Sequence, residues 1–554
     1  MQEFSVLAGG QTGYGIDSAG LLISRLFSRL GYRIYMKNDY PSLIRGGHQF
    51  VIVRGSKDHI AAHSDQVDIV LAFNQDAIAL HKTSFKENTL LICDSARVEL
   101  AGWAPPNVIA LNVGEILKAA GGAPAMDRFC MIGGLCRALQ IDFVILEELI
   151  RKFDAELAEK KLQIARMGFD LARTGKTMPP LAQPVLPVLN GCQAMGLGLL
   201  QAGMQAYVGY PMTPVSPLLE LFAELEPELG LQVVLPESEI AVMLSALGYS
   251  YMGVKNAVGT SGGGFSLMVE GLGLAGQAEL PVVVVMGQRS GPSTGMPTYT
   301  AQTDLHFVLH AGHGEFPRLV VAPGDAEEAY YWAGVAMNKA WYYQMPALIL
   351  ADRTVCLNLY SFDSQSAPEL EDEPPVRWSE QGSYQRYQHS DNGISPLAFP
   401  PLPGQAVKTN SYVHDEYGVV SEDPGVAKGV ADKGLLKERH LAQELQALPA
   451  VKVYGQGSAA LLCWGSNKGV CIEVARKLGL KVIQVLVLAP FPVKAVTEAL
   501  DGVETLLSVE CNATGQLAQL LEQNGFHVDE PILKYDGRPF SLEDLETAVR
   551  RVMK

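Results

Sequence analysis

The sequence lacks the features of several large protein classes. No two of its eight cysteines form a C-x-x-C pair, and most lie in apolar runs such as LLICD and ALLCW. Iron–sulfur clusters and zinc sites need closely spaced thiolates, so we expect the cysteines of this chain to be reduced and buried. No apolar run approaches the roughly 18 residues of a membrane span. The start, MQEFSVLAGG, lacks the basic and apolar regions of a signal peptide, and we expect a cytoplasmic protein without a membrane partner.

Positive charge is also scarce. The chain has 43 Lys and Arg residues against 59 Asp and Glu residues, which gives a formal net charge of -16. A nucleic-acid-binding protein needs a basic face, so this balance argues against that function. Hydrophobic residues make up 48% of the 554 positions, which is typical of a globular protein. A chain of this length divides into roughly three to four domains.

Strand-like and helical patterns alternate along much of the chain, which predicts an α/β fold with several doubly wound domains. A long helical pattern covers residues 143–172, and one short helix is expected at Leu435–Gln446. We expect five segments: an α/β domain at 1–175, a proline-rich linker at 176–190, a second α/β domain at 191–357, an extended connection at 358–456 and a third α/β domain at 457–554.

The second domain contains a candidate catalytic carboxyl group. PESEIAVM places Glu239 after the strand-like run QVVL and at the start of a helical pattern. A carboxylic acid in an apolar pocket has a raised pKa and can share its proton with a ring nitrogen, as the aminopyrimidine of thiamine diphosphate requires. The alternative is that Glu237 and Glu239 only favour the helix N-terminus through its dipole, which is the commoner case for such a residue alone.

Other motifs lie on either side of Glu239 in the sequence. YPMTP (Tyr210–Pro214) presents the Thr213 hydroxyl to a substrate carboxylate or carbonyl, although an ordinary turn with Thr213 as helix N-cap is an equally good interpretation. GTSGGG (Gly259–Gly264) allows close backbone approach, and it is not a P-loop because no Lys-Ser/Thr follows. GQRSGPSTGMPT adds the planar donor group of Arg289. Secondary candidates from HAGHGEFPR are His310, His313 and Arg318.

The order of these motifs resembles the α subunit of 2-oxoacid:ferredoxin oxidoreductases. The similarity is close from Gly191 to about Leu357, through YPMTP, PESE-x-A, GTSGGGFSLM-x-E, GPSTGMPT and GHGEFPR, and looser in the C-terminal domain. In the N-terminal domain GGQTGYGIDSAG and YPSLIRGGHQ resemble the γ subunit of the same enzymes, fused ahead of α.

The resemblance implies half of a thiamine diphosphate site. Glu239 would lie at N1′ of the cofactor, and the substrate-binding residues would be Thr213, Arg289 and Arg318. The implied cofactor-binding residues are Tyr210, Pro211, Thr213, Glu239, Gly262 and Gly263. The C-terminal domain would have the transketolase C-terminal fold.

The resemblance also implies a partner. A separate β subunit would hold the diphosphate, Mg²⁺ and at least one [4Fe–4S] cluster, in an α2β2 assembly. This chain itself has no GDG motif, since GDA at Gly324–Ala326 lacks the last glycine. No protein metal site is expected in the chain. The implied reaction is oxidative decarboxylation of a 2-oxoacid with coenzyme A as acyl acceptor and ferredoxin as electron acceptor, reversible as carboxylation.

Two features concern the substrate. The γ–α fusion and GHGEFPR favour 2-oxoglutarate, with pyruvate or a broad range of 2-oxoacids as the alternative. Several relatives carry a basic residue after GPSTG-x-PT, where this chain has Tyr299. If that residue binds a substrate carboxylate, another cation must do so here, and the candidates are Arg289, Arg318 and Lys255.

The glycine-rich turn GGQTGYG suggests a second ligand site. Its spacing is G-x-x-G-x-G rather than G-x-G-x-x-G, and no clear acidic residue ends the next strand, which disfavours a dinucleotide. Lys37, Arg45, Gly46 and Gly47 are candidates for contact with coenzyme A phosphates, and the alternative is an ordinary surface loop. The competing functions are an FAD-binding electron-transfer protein and a non-catalytic scaffold.

Overall fold

The structure, a computed structural model, describes residues 3–41, 46–100, 107–379 and 381–554. The chain divides into two compact units. Unit 1 consists of Met1–Leu189, Asn358–Asp363 and Ser541–Thr547, and the remaining residues form unit 2. Across the described ranges, no helix is long and apolar enough to cross a lipid bilayer.

Unit 1 is built on an eight-stranded mixed sheet with the order β6-β5-β4-β1-β3-β2-β14-β7. Strand β1 is buried at every residue except its two ends, as expected for a central strand covered on both faces. It runs parallel to β4 and antiparallel to β3. The strands are β1 (Glu3–Gln11), β2 (Arg33–Asp39), β3 (His48–Ser56), β4 (Val67–Ala72), β5 (Phe85–Asp94), β6 (Asn107–Leu111), β7 (Val188–Asn190) and the later β14 (Leu359–Ser361).

The predicted single helix over residues 143–172 is wrong, because two helices occupy this range. Leu157 adopts a left-handed backbone conformation with φ 53°, which interrupts the helix. The second helix then packs closely on the helix Asp127–Ala138, where a Cβ at Gly168 would lie 2.1 Å from the Cys130 carbonyl oxygen. The helices of unit 1 are α1 (Ile16–Arg29), α2 (Asp76–Ala79), α3 (Val113–Ala120), α4 (Asp127–Ala138), α5 (Phe143–Phe153) and α6 (Ala158–Leu171).

The proline-rich segment after α6 is bound to unit 1. The Met178 N–H donates to the Leu139 carbonyl at 2.9 Å, and the Leu181 N–H donates to the Leu30 carbonyl at 2.7 Å. The segment is therefore extended, as its prolines predict, but it is packed along its length.

Unit 2 contains a seven-stranded sheet with the order β18-β12-β13-β11-β10-β8-β9. All neighbouring pairs are parallel except β12 and β18. The strands are β8 (Ala206–Gly209), β9 (Gln232–Val234), β10 (Asn256–Ser261), β11 (Val282–Gln288), β12 (Leu319–Val321), β13 (Pro346–Asp352) and β18 (Val487–Ala489).

The connections of this sheet diverge between β8 and β10. The chain leaves β8 towards β9 on one side, whereas it leaves β10 towards β11 on the other. The carboxyl ends of two such strands flank a crevice, which is the usual ligand position in a doubly wound sheet. The helices of this layer are α7 (Gly191–Gln201), α8 (Ser216–Leu229), α9 (Glu239–Tyr251), α10 (Gly262–Gln277), α11 (Leu305–His310), α12 (Ala326–Tyr343) and α13 (Arg353–Leu357).

The long connection after residue 363 packs against this sheet layer. Its helix, α14 (Pro424–Glu444), has 21 residues and is much longer than the short helix predicted at Leu435–Gln446. Lys433 and Lys437 of α14 form buried ion pairs with Glu279, at 2.8 and 2.6 Å. The connection therefore covers a neighbouring part of its own chain, as long irregular segments often do.

A five-stranded sheet with the order β15-β17-β16-β19-β20 completes unit 2. Its strands are β15 (Val451–Tyr454), β16 (Ala459–Cys463), β17 (Lys481–Val485), β19 (Thr505–Glu510) and β20 (Glu530–Leu533). The last helices of the chain are α15 (Asn467–Leu478), α16 (Val493–Ala499), α17 (Gln516–Gln523) and α18 (Leu542–Val552). The predicted α/β fold with several parallel sheets is confirmed.

Candidate active site

Glu239 is the first residue of α9 and is buried. Ser238 caps the helix, and its Oγ accepts a hydrogen bond from the Ala241 N–H at 3.4 Å. Glu239 is 6% exposed, whereas Glu237 is exposed. In the part of the chain that the structure describes, the Glu239 carboxylate has no hydrogen-bond or ion-pair partner. A buried carboxyl group without a partner is costly, so this geometry favours a ligand role over a purely helix-stabilising one.

The glycine turn after β10 lies directly against this carboxyl group. A Cβ on Gly264 would be 2.6 Å from Glu239 Oε1 and 2.3 Å from Thr260 Oγ1, so only glycine fits there. Gly263 is exposed, and a Cβ there would meet nothing within 4 Å. Gly264 thus makes room for the carboxyl group, and Gly263 leaves the backbone open to a ligand.

Arg289 joins two of the predicted motifs. Its Nη1 donates to the Thr213 carbonyl oxygen at 2.9 Å, which links the loop after β11 to YPMTP after β8. Thr213 is not a helix N-cap, because α8 begins at Ser216 with Val215 in the cap position. Tyr210 and Pro211 are exposed at the same edge. The sheet therefore brings Thr213 and Arg289 together at the carboxyl ends of β8 and β11, two parallel strands that are separated only by β10.

A second carboxyl group, Asp304, lies at this edge, and the sequence motifs did not reveal it. Its N–H donates to Gln288 Oε1 at 3.2 Å, and a Cβ on Gly262 would be 3.2 Å from Asp304 Oδ1. Burial raises the pKa of Asp304 to about 6, against the lowering effect of the Arg289 charge. The one sequence feature that could have indicated Asp304 is its position directly before the apolar helical run LHFVLH, but this residue belongs to none of the motifs discussed above.

Two buried polar atoms at this edge have no hydrogen-bond partner within the described ranges, Ser261 Oγ and Gln288 Nε2. Ser261 is 0% exposed and precedes α10, yet its side chain does not cap that helix. Buried polar groups are normally satisfied, so these atoms and the Glu239 carboxylate fit a polar ligand. The residues present therefore fit the aminopyrimidine end of thiamine diphosphate.

Loops of the five-stranded sheet hold the segment that follows Arg289. Gln302 Nε2 donates to the Trp464 carbonyl at 3.0 Å, and Gln302 Oε1 accepts from Asn467 Nδ2 at 2.8 Å. Further along, the Thr300 N–H donates to the Gly537 carbonyl at 3.1 Å. The C-terminal sheet thus fixes the shape of the loop that presents Arg289.

Arg318 and Lys255 lie at the amino ends of strands in the seven-stranded sheet, opposite to the ends where Thr213 and Arg289 lie. Arg318 precedes β12, where its Nη1 donates to the carbonyls of Val308 and Ala311 at 3.0 and 2.7 Å, and burial lowers its pKa to about 10. Lys255 precedes β10 and donates to the Ala202 carbonyl at 2.8 Å. The sequence placed Arg318 with Thr213 and Arg289 in one set of substrate-binding residues. The structure does not bring the three together, because Arg318 lies at the amino ends of the strands.

His310 and His313 lie near Arg318 and not beside the Glu239 carboxyl group. All three line a cavity of about 950 Å³ that also contacts α10 and α14. These three residues therefore do not lie in the crevice at the carboxyl ends of the strands.

The glycine-rich turn of unit 1 contacts the second predicted loop. The Thr12 N–H and Oγ1 both donate to the Gly47 carbonyl at 2.9 Å. Gly46 and Gly47 have φ values of +66° and +128°, which favour glycine. Arg45 lies outside the described residues. The structure thus brings GGQTGYG and the Gly46–Gly47 turn together.

Lys37 lies in a cluster with histidine residues. Its Nζ is 3.3 Å from His63 Nε2, and it is 7% exposed. Nearby, His48 Nε2 and His81 Nε2 are 2.9 Å apart, and burial lowers the pKa of His81 to about 4. Lys37 is therefore largely buried, and its ammonium group lies beside the imidazole of His63.

The fold and the site define an α/β protein whose seven-stranded sheet has a candidate thiamine diphosphate site at the carboxyl ends of its strands. Residues 197–431 match the family model described as pyruvate flavodoxin/ferredoxin oxidoreductase, thiamine diP-bdg, and residues 5–177 match pyruvate ferredoxin/flavodoxin oxidoreductase. The chain is 30% identical over 619 residues to the 2-oxoacid:ferredoxin oxidoreductase subunit alpha of Sulfolobus sp, covering 100% of this chain and 97% of that protein. The chain belongs to the 2-oxoacid:ferredoxin oxidoreductase family.

Two further relatives are similar over long ranges. The 2-oxoglutarate synthase subunit KorA of Archaeoglobus fulgidus is 28% identical over 343 residues, covering 61% of this chain and 91% of that subunit. The 2-oxoglutarate:ferredoxin oxidoreductase from Magnetococcus marinus, solved with 2-oxoglutarate, coenzyme A and succinyl-CoA bound, matches with a TM-score of 0.90 and 27% identity over 100% of both chains. The predicted family resemblance is confirmed.

Proposed function

We propose that this chain is the fused γ–α subunit of a thiamine-diphosphate-dependent oxidoreductase that acts on 2-oxoglutarate. The reaction converts 2-oxoglutarate, coenzyme A and two oxidised ferredoxins into succinyl-CoA, CO₂, two reduced ferredoxins and one proton, and it is reversible. The observation that carries the proposal is the buried Glu239 carboxylate, which has no partner in the described part of the chain and lies against Gly264.

The chain's own residues perform three tasks in this mechanism. When bound, thiamine diphosphate supplies a nucleophilic carbon for the keto group and an electron sink for decarboxylation. Glu239 holds and exchanges a proton at N1′ of the aminopyrimidine. Arg289 uses one N–H on the Thr213 carbonyl and has further donors for the carboxylate of the 2-oxoacid. Gly262 and Gly263 let the cofactor approach the backbone.

The remaining parts of the reaction require a partner. We assign the diphosphate, Mg²⁺ and at least one [4Fe–4S] cluster to a separate β subunit in an α2β2 complex. The sequence supports this assignment because it has no GDG motif and no C-x-x-C pair, and all eight cysteines are buried. In unit 1, we assign Lys37, Arg45, Gly46 and Gly47 to the phosphates of coenzyme A. The complex would act in the cytoplasm.

The choice of 2-oxoglutarate rests on similarity. The Archaeoglobus fulgidus relative is a 2-oxoglutarate synthase subunit, and the Magnetococcus marinus enzyme was solved with 2-oxoglutarate. The alternative substrates are pyruvate and a broad range of 2-oxoacids.

Reconstitution tests the proposal directly. The purified chain should be colourless and inactive, and addition of its β subunit should produce reduction of methyl viologen that depends on both a 2-oxoacid and coenzyme A. A panel of 2-oxoacids should give the highest kcat/KM with 2-oxoglutarate. Activity of the chain alone, or a yellow chain with bound flavin, would contradict the proposal.

A further inference from the structure

Asp304 occupies the N-cap position of α11, but its side chain does not cap that helix. An aspartate in this position normally accepts a hydrogen bond from a backbone N–H of the first helical turn. In the part of the chain that the structure describes, the Asp304 carboxyl group has no hydrogen-bond or ion-pair partner. The residue is only partly exposed, and a polar group in such a position is normally satisfied, so this carboxyl group is available for a ligand.

The Asp304 carboxyl group lies against the first turn of α10. A Cβ on Gly262 would be 3.2 Å from Asp304 Oδ1 and 3.7 Å from Oδ2. Two residues further on, a Cβ on Gly264 would be 2.6 Å from Glu239 Oε1. Gly263, between these two glycines, is exposed, and a Cβ there would meet nothing within 4 Å. The glycine turn therefore has a carboxyl group at each end and an open backbone between them.

The Arg289 charge acts on Asp304, although the two side chains form no ion pair within the described residues. Arg289 donates to the Thr213 carbonyl oxygen at 2.9 Å instead. Burial is the larger effect on Asp304 and raises its pKa to about 6, against the lowering effect of the Arg289 charge. No other charged group among the described residues shifts this pKa. A carboxyl group with a pKa near neutrality can both give and take a proton in a reaction.

Backbone contacts fix the position of Asp304 from two sides. Its N–H donates at 3.2 Å to Oε1 of Gln288, the residue before Arg289. On the other side, Gln516 Nε2 of α17 donates to the Thr303 carbonyl at 2.9 Å. Asp304 is therefore held beside the Arg289 loop without using its carboxyl oxygens, and both oxygens stay available.

We propose that Asp304 is a second acid–base group of the site, which gives a proton to the keto oxygen of the bound 2-oxoacid. The inference rests on the proposed function, in which Arg289 binds the carboxylate of the substrate. The keto oxygen lies on the carbon next to that carboxylate. A 2-oxoacid bound to Arg289 therefore presents this oxygen close to the loop where Asp304 lies.

Asp304 loses and regains one proton in the reaction. As the keto carbon forms its new bond to the nucleophilic carbon of the cofactor, the π electron pair of the C=O bond moves to the oxygen, which takes the proton from Asp304. Asp304 is then a carboxylate that the Arg289 cation stabilises. When two electrons later pass to the two ferredoxins, the same oxygen becomes a carbonyl again and its proton returns to Asp304.

The first test is the turnover of 2-oxoglutarate by the complex with the β subunit. Asp304→Asn keeps the shape of the side chain but has no proton to give. It should lower kcat by about 100-fold or more and change KM by less than about threefold. Thr303→Ala is the matched control, because it changes an exposed side chain in the same segment, and its kcat should be near-native. Size-exclusion chromatography shows whether both variants assemble.

The second test is proton uptake when the complex binds N-oxalylglycine, an analogue of 2-oxoglutarate with an amide in place of the ketone. The carboxylate of the analogue offsets the Arg289 charge, so the pKa of Asp304 should rise above about 6. The native complex should then take up about half a proton or more at pH 7. Calorimetry in two buffers with different ionisation enthalpies measures this uptake, which Asp304→Asn should abolish.

Near-native kcat in an assembled Asp304→Asn complex would overturn the inference, and so would an equal proton uptake in that variant. A raised KM with native kcat would also overturn it, because Asp304 would then act only through Arg289. With any of these results, a native complex that uses 2-oxoglutarate leaves the proposed function standing. If the native complex used no 2-oxoacid, the proposed function itself would be wrong.

Discussion

Glu239 and Asp304 are two carboxyl groups in different surroundings at one edge of a sheet. Glu239 lies against Gly264, whereas Asp304 lies against Gly262 and near the Arg289 charge. Glu239 could be predicted because its motif is local: a strand, a proline, a helix start. Asp304 could not be predicted, because its position depends on contacts with Gln288 and Gly262, which belong to other motifs of the sequence.

Asp304→Asn should change how the stability of unit 2 varies with pH. Burial raises the pKa of Asp304 from 3.8 to about 6. The protonated carboxyl group therefore contributes its full stabilisation below pH 3.8, and this contribution is lost as the pH rises through about 6. The asparagine variant cannot ionise, so its Tm relative to the native chain should be higher at pH 7.5 than at pH 4.5. A Tm difference that is the same at both pH values would contradict the assignment.

The elements of the second domain show what sequence patterns can predict. The start of α9 at Glu239 and the strands on either side of YPMTP and GTSGGG followed from apolar periodicity and glycine position. In unit 1, β3 is hard to predict from the sequence pattern, because the polar residues His48, Gln49 and Arg54 flank its short apolar centre FVIV. The break between α5 and α6 was missed because it depends on the left-handed backbone of Leu157 and on packing against α4.

The first turn of α10 should not tolerate a side chain at Gly264. Gly264→Ala should cost about 1–3 kcal/mol in unfolding free energy, because the added methyl group would overlap Thr260 and Glu239. It should also lower turnover in the complex by displacing the Glu239 carboxyl group. Denaturant unfolding and the methyl viologen assay measure the two effects.

Gly248→Ala is the control, since Gly248 is exposed within α9 and a Cβ there meets nothing within 4 Å. That variant should gain about 0.5–1 kcal/mol from the lower conformational entropy of its unfolded chain. A Gly264→Ala variant as stable and active as the native chain would show that the Glu239 pocket is looser than the structure indicates.

The buried charges under α14 should matter for stability. Glu279 pairs with Lys433 and Lys437, and these two cations hold the pKa of Glu279 well below its usual range despite the opposing effect of burial. Glu279→Gln leaves two buried ammonium groups without their carboxylate, so it should cost about 3–5 kcal/mol in unfolding free energy.

The exposed pair Lys428–Asp432 lies on the same helix and serves as control. Lys428→Met should change the unfolding free energy by less than about 1 kcal/mol, because exposed ion pairs contribute little. Equal effects of the two substitutions would mean that the Glu279 cluster does not anchor the helix.

At the scale of the whole molecule, the chain combines a unit that contains the glycine-rich turn GGQTGYG with a unit that contains the candidate thiamine diphosphate site. The order of short motifs was enough to predict the family, and four of them, YPMTP, PESE, GTSGGG and GPSTGMPT, lie at the carboxyl ends of parallel strands of the same sheet. The contribution of the C-terminal sheet to the shape of the Arg289 loop could not be predicted. It depends on the contacts of Gln302 with Trp464 and of Thr300 with Gly537, and the members of each pair are far apart in the sequence.

The central claim is that Glu239 activates a cofactor that a second subunit completes. The most direct measurement is 2-oxoglutarate- and coenzyme A-dependent reduction of methyl viologen by complexes of the β subunit with Glu239→Gln or Glu237→Gln, with assembly followed by size-exclusion chromatography. Loss of an acid–base group should lower kcat in Glu239→Gln by about 100-fold or more. Assembly should be intact in both variants, and Glu237→Gln should have near-native turnover. Near-native turnover in an assembled Glu239→Gln complex would contradict the claim.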